Sequence, residues 1–152
     1  MNDTIHDIAW GNKIDKMKKL LKKGIDINER DDEFGNSPLN TAIAKRHEEM
    51  ALLLLENGAD GSIQDNNGNN ALHYAVEHNM TDIAKYILNK FPETLNVENV
   101  DKATVLWKTV MNPKASLSFI EYLLQQGADK TSTISLVEAF NEEELTKLFE
   151  RY

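Results

Sequence analysis

Asp32-Glu33-Phe34-Gly35-Asn36-Ser37-Pro38-Leu39, followed by the run Leu52-Leu53-Leu54-Leu55 and the stop Glu56-Asn57-Gly58-Ala59-Asp60, is the stretch whose reading decides the fold. Asp-x-x-Gly is turn chemistry: the carboxylate bonds backbone N–H groups ahead of it, and glycine enters φ > 0 without a Cβ penalty. Ser37 before Pro38 reads as an N-cap with proline at the first helical position. Gly58, behind an apolar helical stretch, supplies the left-handed residue that ends a helix. The unit reads turn, short helix, short connection, longer helix, glycine stop.

The unit recurs. Lys22-Lys23-Gly24-Ile25-Asp26 and Gln125-Gln126-Gly127-Ala128-Asp129 repeat the stop, and Asp65-Asn66-Asn67-Gly68-Asn69-Asn70-Ala71-Leu72 repeats the turn. Gly24 and Gly58 are 34 residues apart, Gly35 and Gly68 are 33 apart, and Gly58 and Gly127 are 69 apart, two periods with a few inserted residues. A period of this length marks units that bury a face only by stacking on one another. The pattern resembles the ankyrin repeat, a β-turn plus two helices with a period of 33. The resemblance covers nearly the whole chain and implies an all-α solenoid of stacked helix-turn-helix units. It sets the expectation of one domain over 1–152, with repeats at 1–30, 31–64, 65–97 and 98–130 and a C-terminal cap at 131–152.

The repeats are unequal. The third keeps Asp65, Gly68, Leu72, His73 and Ala75 but ends in Phe91-Pro92-Glu93, where Pro92 stops the helix for want of an N–H. The fourth has Asn99-Val100-Asp101-Lys102 at the turn, begins its helix at Thr104, and carries Trp107 where the resemblance puts histidine; Trp107 is expected in the core. Met111-Asn112-Pro113-Lys114 lengthens its inter-helix turn. The first unit lacks its turn and starts within a helix at Ile5-His6-Asp7-Ile8-Ala9. In the last stretch, Asn141-Glu142-Glu143-Glu144 has capping-box spacing, and Leu145, Leu148 and Phe149 fall on one helix face. Terminal units that differ from internal ones suit caps with a polar outer side, so the array is expected to be complete and self-capped.

Charge and composition narrow the function. The net charge is −8 with a pI near 5.0, which argues against nucleic acid as a partner. Six lysines crowd residues 1–24, and the rest of the chain is acidic. A basic end on an acidic body can orient a partner, but a solvated helix face is the simpler reading. No apolar run reaches the length that spans a bilayer, and the polar N-terminus has no secretory pattern, so a membrane is not expected. The chain has no cysteine, which excludes thiolate chemistry and suits the cytoplasm. The 16 asparagines, 14 lysines and 11 isoleucines hint at an AT-rich, bacterial genome.

Catalytic and metal chemistry is not expected, and neither is a cofactor. His73 and Glu77 lie four apart on a helix but fall short of a ligand set. The resemblance instead gives His73 the family histidine's place, where the imidazole ties neighbouring turns, and gives His6 the same place in the first unit. His47 starts the second helix of its repeat, another usual position, and His78 is expected to be exposed. Glu142-Glu143-Glu144 suit a helix N-terminus rather than acid–base work. Gly58-Ala59-Asp60-Gly61 lacks the lysine and spacing of a phosphate loop. Asn66-Asn67-Gly68-Asn69-Asn70 lacks the glutamate that closes a calcium loop.

In ankyrin repeats the turns and first helices line a concave groove that binds proteins, and the resemblance carries these contact positions over. They are Trp10 in the first unit and Glu33, Phe34, Asn36, Ala44 and Lys45 in the second. The third gives Asn66, Asn67, Asn69, Glu77 and His78, and the fourth gives Val100, Asp101, Ala103, Met111 and Asn112. Phe34 and Trp10 stand out, because exposed aromatics concentrate binding energy at interfaces. The expected function is non-enzymatic: a monomeric module that occupies a partner protein, basic to suit an acidic groove, as an inhibitor, adaptor or immunity-type neutraliser. The alternatives are an enzyme or metal site grafted on the scaffold, and a structural subunit that assembles through its end caps.

Overall fold

Local chemistry starts each repeat in the same way. Thr4, Ser37, Asn70 and Thr104 each accept, through a side-chain oxygen, the backbone N–H three residues on. The short helices α1 (Ile5–Trp10), α3 (Pro38–Ala44), α5 (Ala71–Glu77) and α7 (Val105–Met111) follow those caps. The longer partners are α2 (Ile14–Lys22), α4 (Glu48–Glu56), α6 (Thr81–Lys90) and α8 (Leu117–Gln125), and a last pair is α9 (Ile134–Phe140) and α10 (Glu143–Arg151). The computed structural model describes residues 3–152, and among the described residues there is no strand.

The short helices stack into one layer, α1 on α3, α3 on α5 and α5 on α7. Each also packs on its own long partner, and α10 closes the far end against α8 and α9. Leu39, Leu72 and Leu106, at one register of successive short helices, are wholly buried, as are Met17, Met50, Leu54, Ile87 and Leu123 on the long ones. Side-chain amides and imidazoles join neighbouring units. Asn28 Oδ1 accepts the Asp60 N–H and Asn96 Oδ1 the Asp129 N–H. Asn40 donates to the Ile63 carbonyl and Asn70 to that of Thr94. His73 Nε2 donates to the Ala103 carbonyl at 3.2 Å, and His47 Nε2 to the Trp10 carbonyl at 2.9 Å. At Asn40, Asn70 and His73, which are wholly buried, these bonds satisfy groups that would otherwise lack partners.

The caps correct the reading of His6. Counting from Thr4, it is Asp7 that shares a position with Asn40, His73 and Trp107, and Asp7 closes a capping box with Thr4. His6 stands at the register of Leu39, Leu72 and Leu106. Its two ring nitrogens are buried without a hydrogen-bond partner, so it ties no turns together.

Two helix ends and one turn also differ from expectation or explain it. Asn141 is not an N-cap: it ends α9 in the left-handed region at φ 51°, so Glu142 caps α10 with no side-chain bond. Lys102 takes the turn-glycine position with φ 62°, so the fourth turn keeps its shape without glycine. Where Phe91-Pro92 replaces the glycine stop, α6 gives way to a 3₁₀ turn over Pro92–Thr94. The Phe91 ring fills the space that glycine leaves at Gly61, where an added Cβ would come within 2.8 Å of it.

Candidate protein-interaction face

The turn before each short helix is built by one carboxylate or amide. Asp65 Oδ1 accepts the N–H groups of Asn67 and Asn69, and Asn99 Oδ1 those of Asp101 and Ala103. In the second repeat the matching residue is Asp31, not Asp32. Its carboxylate accepts from Glu33, Phe34 and Asn36. Burial pushes the Asp31 carboxyl up, but these three N–H bonds outweigh it and hold it below the ordinary carboxylate range. The turn is therefore one residue longer than its neighbours, and Asp32, Glu33 and Phe34 form the tip. Adjacent turns are joined by backbone, Asn66 N–H to the Phe34 carbonyl and Val100 N–H to that of Asn67, both at 2.9 Å.

With its turn held by Asp31 and tied to Asn66 of the next repeat, the Phe34 ring has no core to join and is 55% exposed; Trp10, at the end of α1, is 60% exposed. The two rings line one cavity of about 350 Å³ with Asp7, Asp31, Asp32, Glu33, Asn36 and the flank of His6. The Lys45 ammonium lies 3.2 Å from the centroid of the Trp10 ring, a cation–π contact within the chain. A second cavity, of about 500 Å³, opens in the fourth repeat. Glu77, Asp101, Ala103, Met111 and Asn112 line it together with Trp107 and Lys108. Trp107 is thus half-buried on this face rather than in the core, a placement that its histidine-like register did not reveal.

The remaining contact positions divide by what their side chains already do. The Tyr74 hydroxyl donates its one proton to Asp65 and lies 3.1 Å from the Asn36 amide, and Asn69 accepts from Asn99. Burial, then the bond to Asp65, pushes the Tyr74 hydroxyl up and keeps it protonated as a donor. Asn112 donates to the Val76 and Glu77 carbonyls, anchoring the lengthened turn on the preceding repeat. Ala103 is buried, 4% exposed, and its backbone is spent within the protein: the N–H on Asn99 and the carbonyl on Asn99 and His73. Asn66 bonds Arg30 and the Glu33 carbonyl, and Asn67 is exposed. Val100, at 63% exposed, stands free at its tip, while Ala44 is half-buried. His78 is half-buried rather than exposed, and desolvation lowers its basicity.

Electrostatically the face is graded, not uniformly acidic. Glu77 is neutralised by Lys108 at 2.7 Å, and Lys102 pairs with Glu98 at 3.6 Å. The middle is a run of asparagines. Asp32 and Glu33 form no salt bridge among the described residues, so negative charge gathers at the N-terminal cavity. The lysines of α2 project from the opposite layer and are solvated, and Lys16 pairs with Asp3 together with Lys13, which precedes the helix.

The stacked helix pairs, glycine stops and tied turns define a repeat protein built to present one extended face. The family model for ankyrin repeats, in three copies, matches residues 5–99, and the chain belongs to the ankyrin repeat family. It is 34% identical to an ankyrin repeat protein of Rickettsia felis, over 86% of this chain and 42% of that one. An ankyrin repeat protein of fowlpox virus is 38% identical over 78% of this chain and 35% of its own length. The human palmitoyltransferase ZDHHC13 is 32% identical over 47% of this chain and 11% of the transferase. The chain spans less than half the length of these relatives. Ankyrin repeats are in general protein-interaction modules, and among the described residues no helix is long and apolar enough to cross a membrane.

Proposed function

We propose that the chain works without catalysis, by binding a partner protein along the face made by the turn tips and the short helices. The observation that carries this is the pair of aromatic rings, Phe34 at the tip of the second repeat's turn and Trp10 at the end of α1, left open to solvent in one cavity. Rigid, exposed aromatics lose little entropy on binding and concentrate interface energy. Asparagines 66 and 67 would form part of the polar rim, and the carboxylates at the tip of the second repeat favour a basic partner. Such a module acts by occupying a surface, as an inhibitor, adaptor or immunity-type protein.

The test is affinity capture from the source cell, then surface resonance with the captured partner alongside thermal melts. Phe34→Ala should cost about 2 kcal/mol or more of affinity and less than about 1 kcal/mol of stability. Normal binding by Phe34→Ala, with binding abolished in Lys18→Gln/Lys22→Gln, would put the interface on the lysine face of α2 instead.

A further inference from the structure

We propose that the cavity between Trp10 and Phe34 is the receptor for a single arginine side chain of the bound partner. This rests on the interaction-face reading above and assigns its N-terminal cavity a ligand. At about 350 Å³ the cavity lies near the lower end of ligand-pocket volumes, roughly 300–1,000 Å³, which suits one long side chain rather than a larger group.

Three independent features give it a cationic preference. Its walls carry two exposed aromatic rings and no lysine or arginine. Its rim carries Asp32 and Glu33, whose carboxylates form no salt bridge among the described residues and whose backbone is fixed by the Asp31 turn. The Trp10 ring already takes a cation within the chain, since the Lys45 ammonium sits 3.2 Å from its centroid. Lys45 covers one face of that ring and is not among the residues that line the cavity.

Arginine fits better than lysine. A guanidinium is flat, weakly hydrated and forked, so it stacks on an aromatic face while bonding carboxylates in its own plane. An ammonium is a compact, strongly hydrated charge and uses only the Coulomb part of such a site. In a partner this places one arginine where the bound segment meets the first two repeats, with the asparagine-rich middle of the face receiving neutral residues.

The experiment uses the whole chain carrying Trp107→Phe, which leaves Trp10 as the only tryptophan. The probes are acetyl-Gly-Arg-Gly-amide, its lysine counterpart, and its citrulline counterpart, which keeps the shape and removes the charge. In ¹⁵N–¹H spectra the arginine peptide should shift the Trp10 indole and the Glu33 and Phe34 amides saturably. Its affinity should exceed that of the citrulline peptide by about fivefold or more, with lysine between them. Asp32→Asn/Glu33→Gln should bring arginine down to the citrulline level. Equal binding of arginine and citrulline, shifts without saturation, or indifference to the double variant would overturn the assignment. The captured partner separates the two readings. If Asn67→Arg abolishes its binding while Asp32→Asn/Glu33→Gln leaves it unchanged, the arginine site is wrong and the face stands. If neither matters, the face itself is wrong.

Discussion

Stability should fall as the pH is lowered from 7.5 to 5, and His73 should cause most of the fall. Its ring is wholly buried, donating through Nε2 to the Ala103 carbonyl and bonding Asn70 through Nδ1. Desolvation pushes its pKa from 6.5 down to about 4. The unfolded chain therefore takes up a proton near pH 6.5 that the folded chain refuses until near pH 4, so protonation favours unfolding throughout that window. Integrating between those two values, the loss from pH 7.5 to 5 is about 2 kcal/mol. Carboxylates whose pKa is lowered, Asp31 among them, lose their contribution only as the pH falls through their own lower range. His78, shifted the same way, adds a smaller slope of the same sign. The assay is urea unfolding at half-unit pH steps for the wild type and for His73→Asn, which borrows the residue of the matching position in the second repeat. The variant should be less stable at pH 7.5 by roughly 1–3 kcal/mol, with most of the slope gone. Equal slopes in the two proteins would refute a buried neutral His73.

His6→Leu should stabilise the chain by about 1 kcal/mol in the same unfolding assay, since it replaces two unpartnered ring nitrogens with the leucine found at that register in the other repeats; a loss of stability would mean the ring has a partner. Gly58→Val should destabilise by about 1–2 kcal/mol: Gly58 sits at φ 92° with nothing within 4 Å of an added Cβ, so the effect is one of backbone strain alone. An unchanged denaturation midpoint would remove Gly58 from its helix-ending role. Lys102→Gly should gain about 0.5–1 kcal/mol, because the lysine is held at φ 62° and the released strain exceeds the added freedom of the unfolded chain. A melt no higher than that of the wild type would show that the fourth turn tolerates its lysine without strain.

What the sequence determined by itself is the set of features whose physics is local. Ser37-Pro38, Gly58 and Gly127 mark helix starts and stops because capping and positive φ involve residues within one turn of each other. The 33- to 34-residue spacing of those marks carries the all-helical stacked architecture, and the aromatics at Phe34 and Trp10 are visible as misfits, too apolar for a turn or a helix end. Register within a unit was less legible. Asp31 and Asp32 are adjacent acids, and only the three N–H groups converging on Asp31 tell which one builds the turn. Likewise His6 and Asp7 sit one apart, and Thr4 bonding Asp7 moves the histidine into a leucine's place. Asn141 has the composition of a cap at either helix end, and its left-handed φ gave it to α9. The cavities, the exposure of Trp107 and the ion pair that neutralises Glu77 depend on residues about 30 apart in the chain, meeting only when one repeat stacks on the next. Burial and charge pairing are properties of that stacking, so the tertiary structure alone decided which of the candidate contact residues are free to meet a partner.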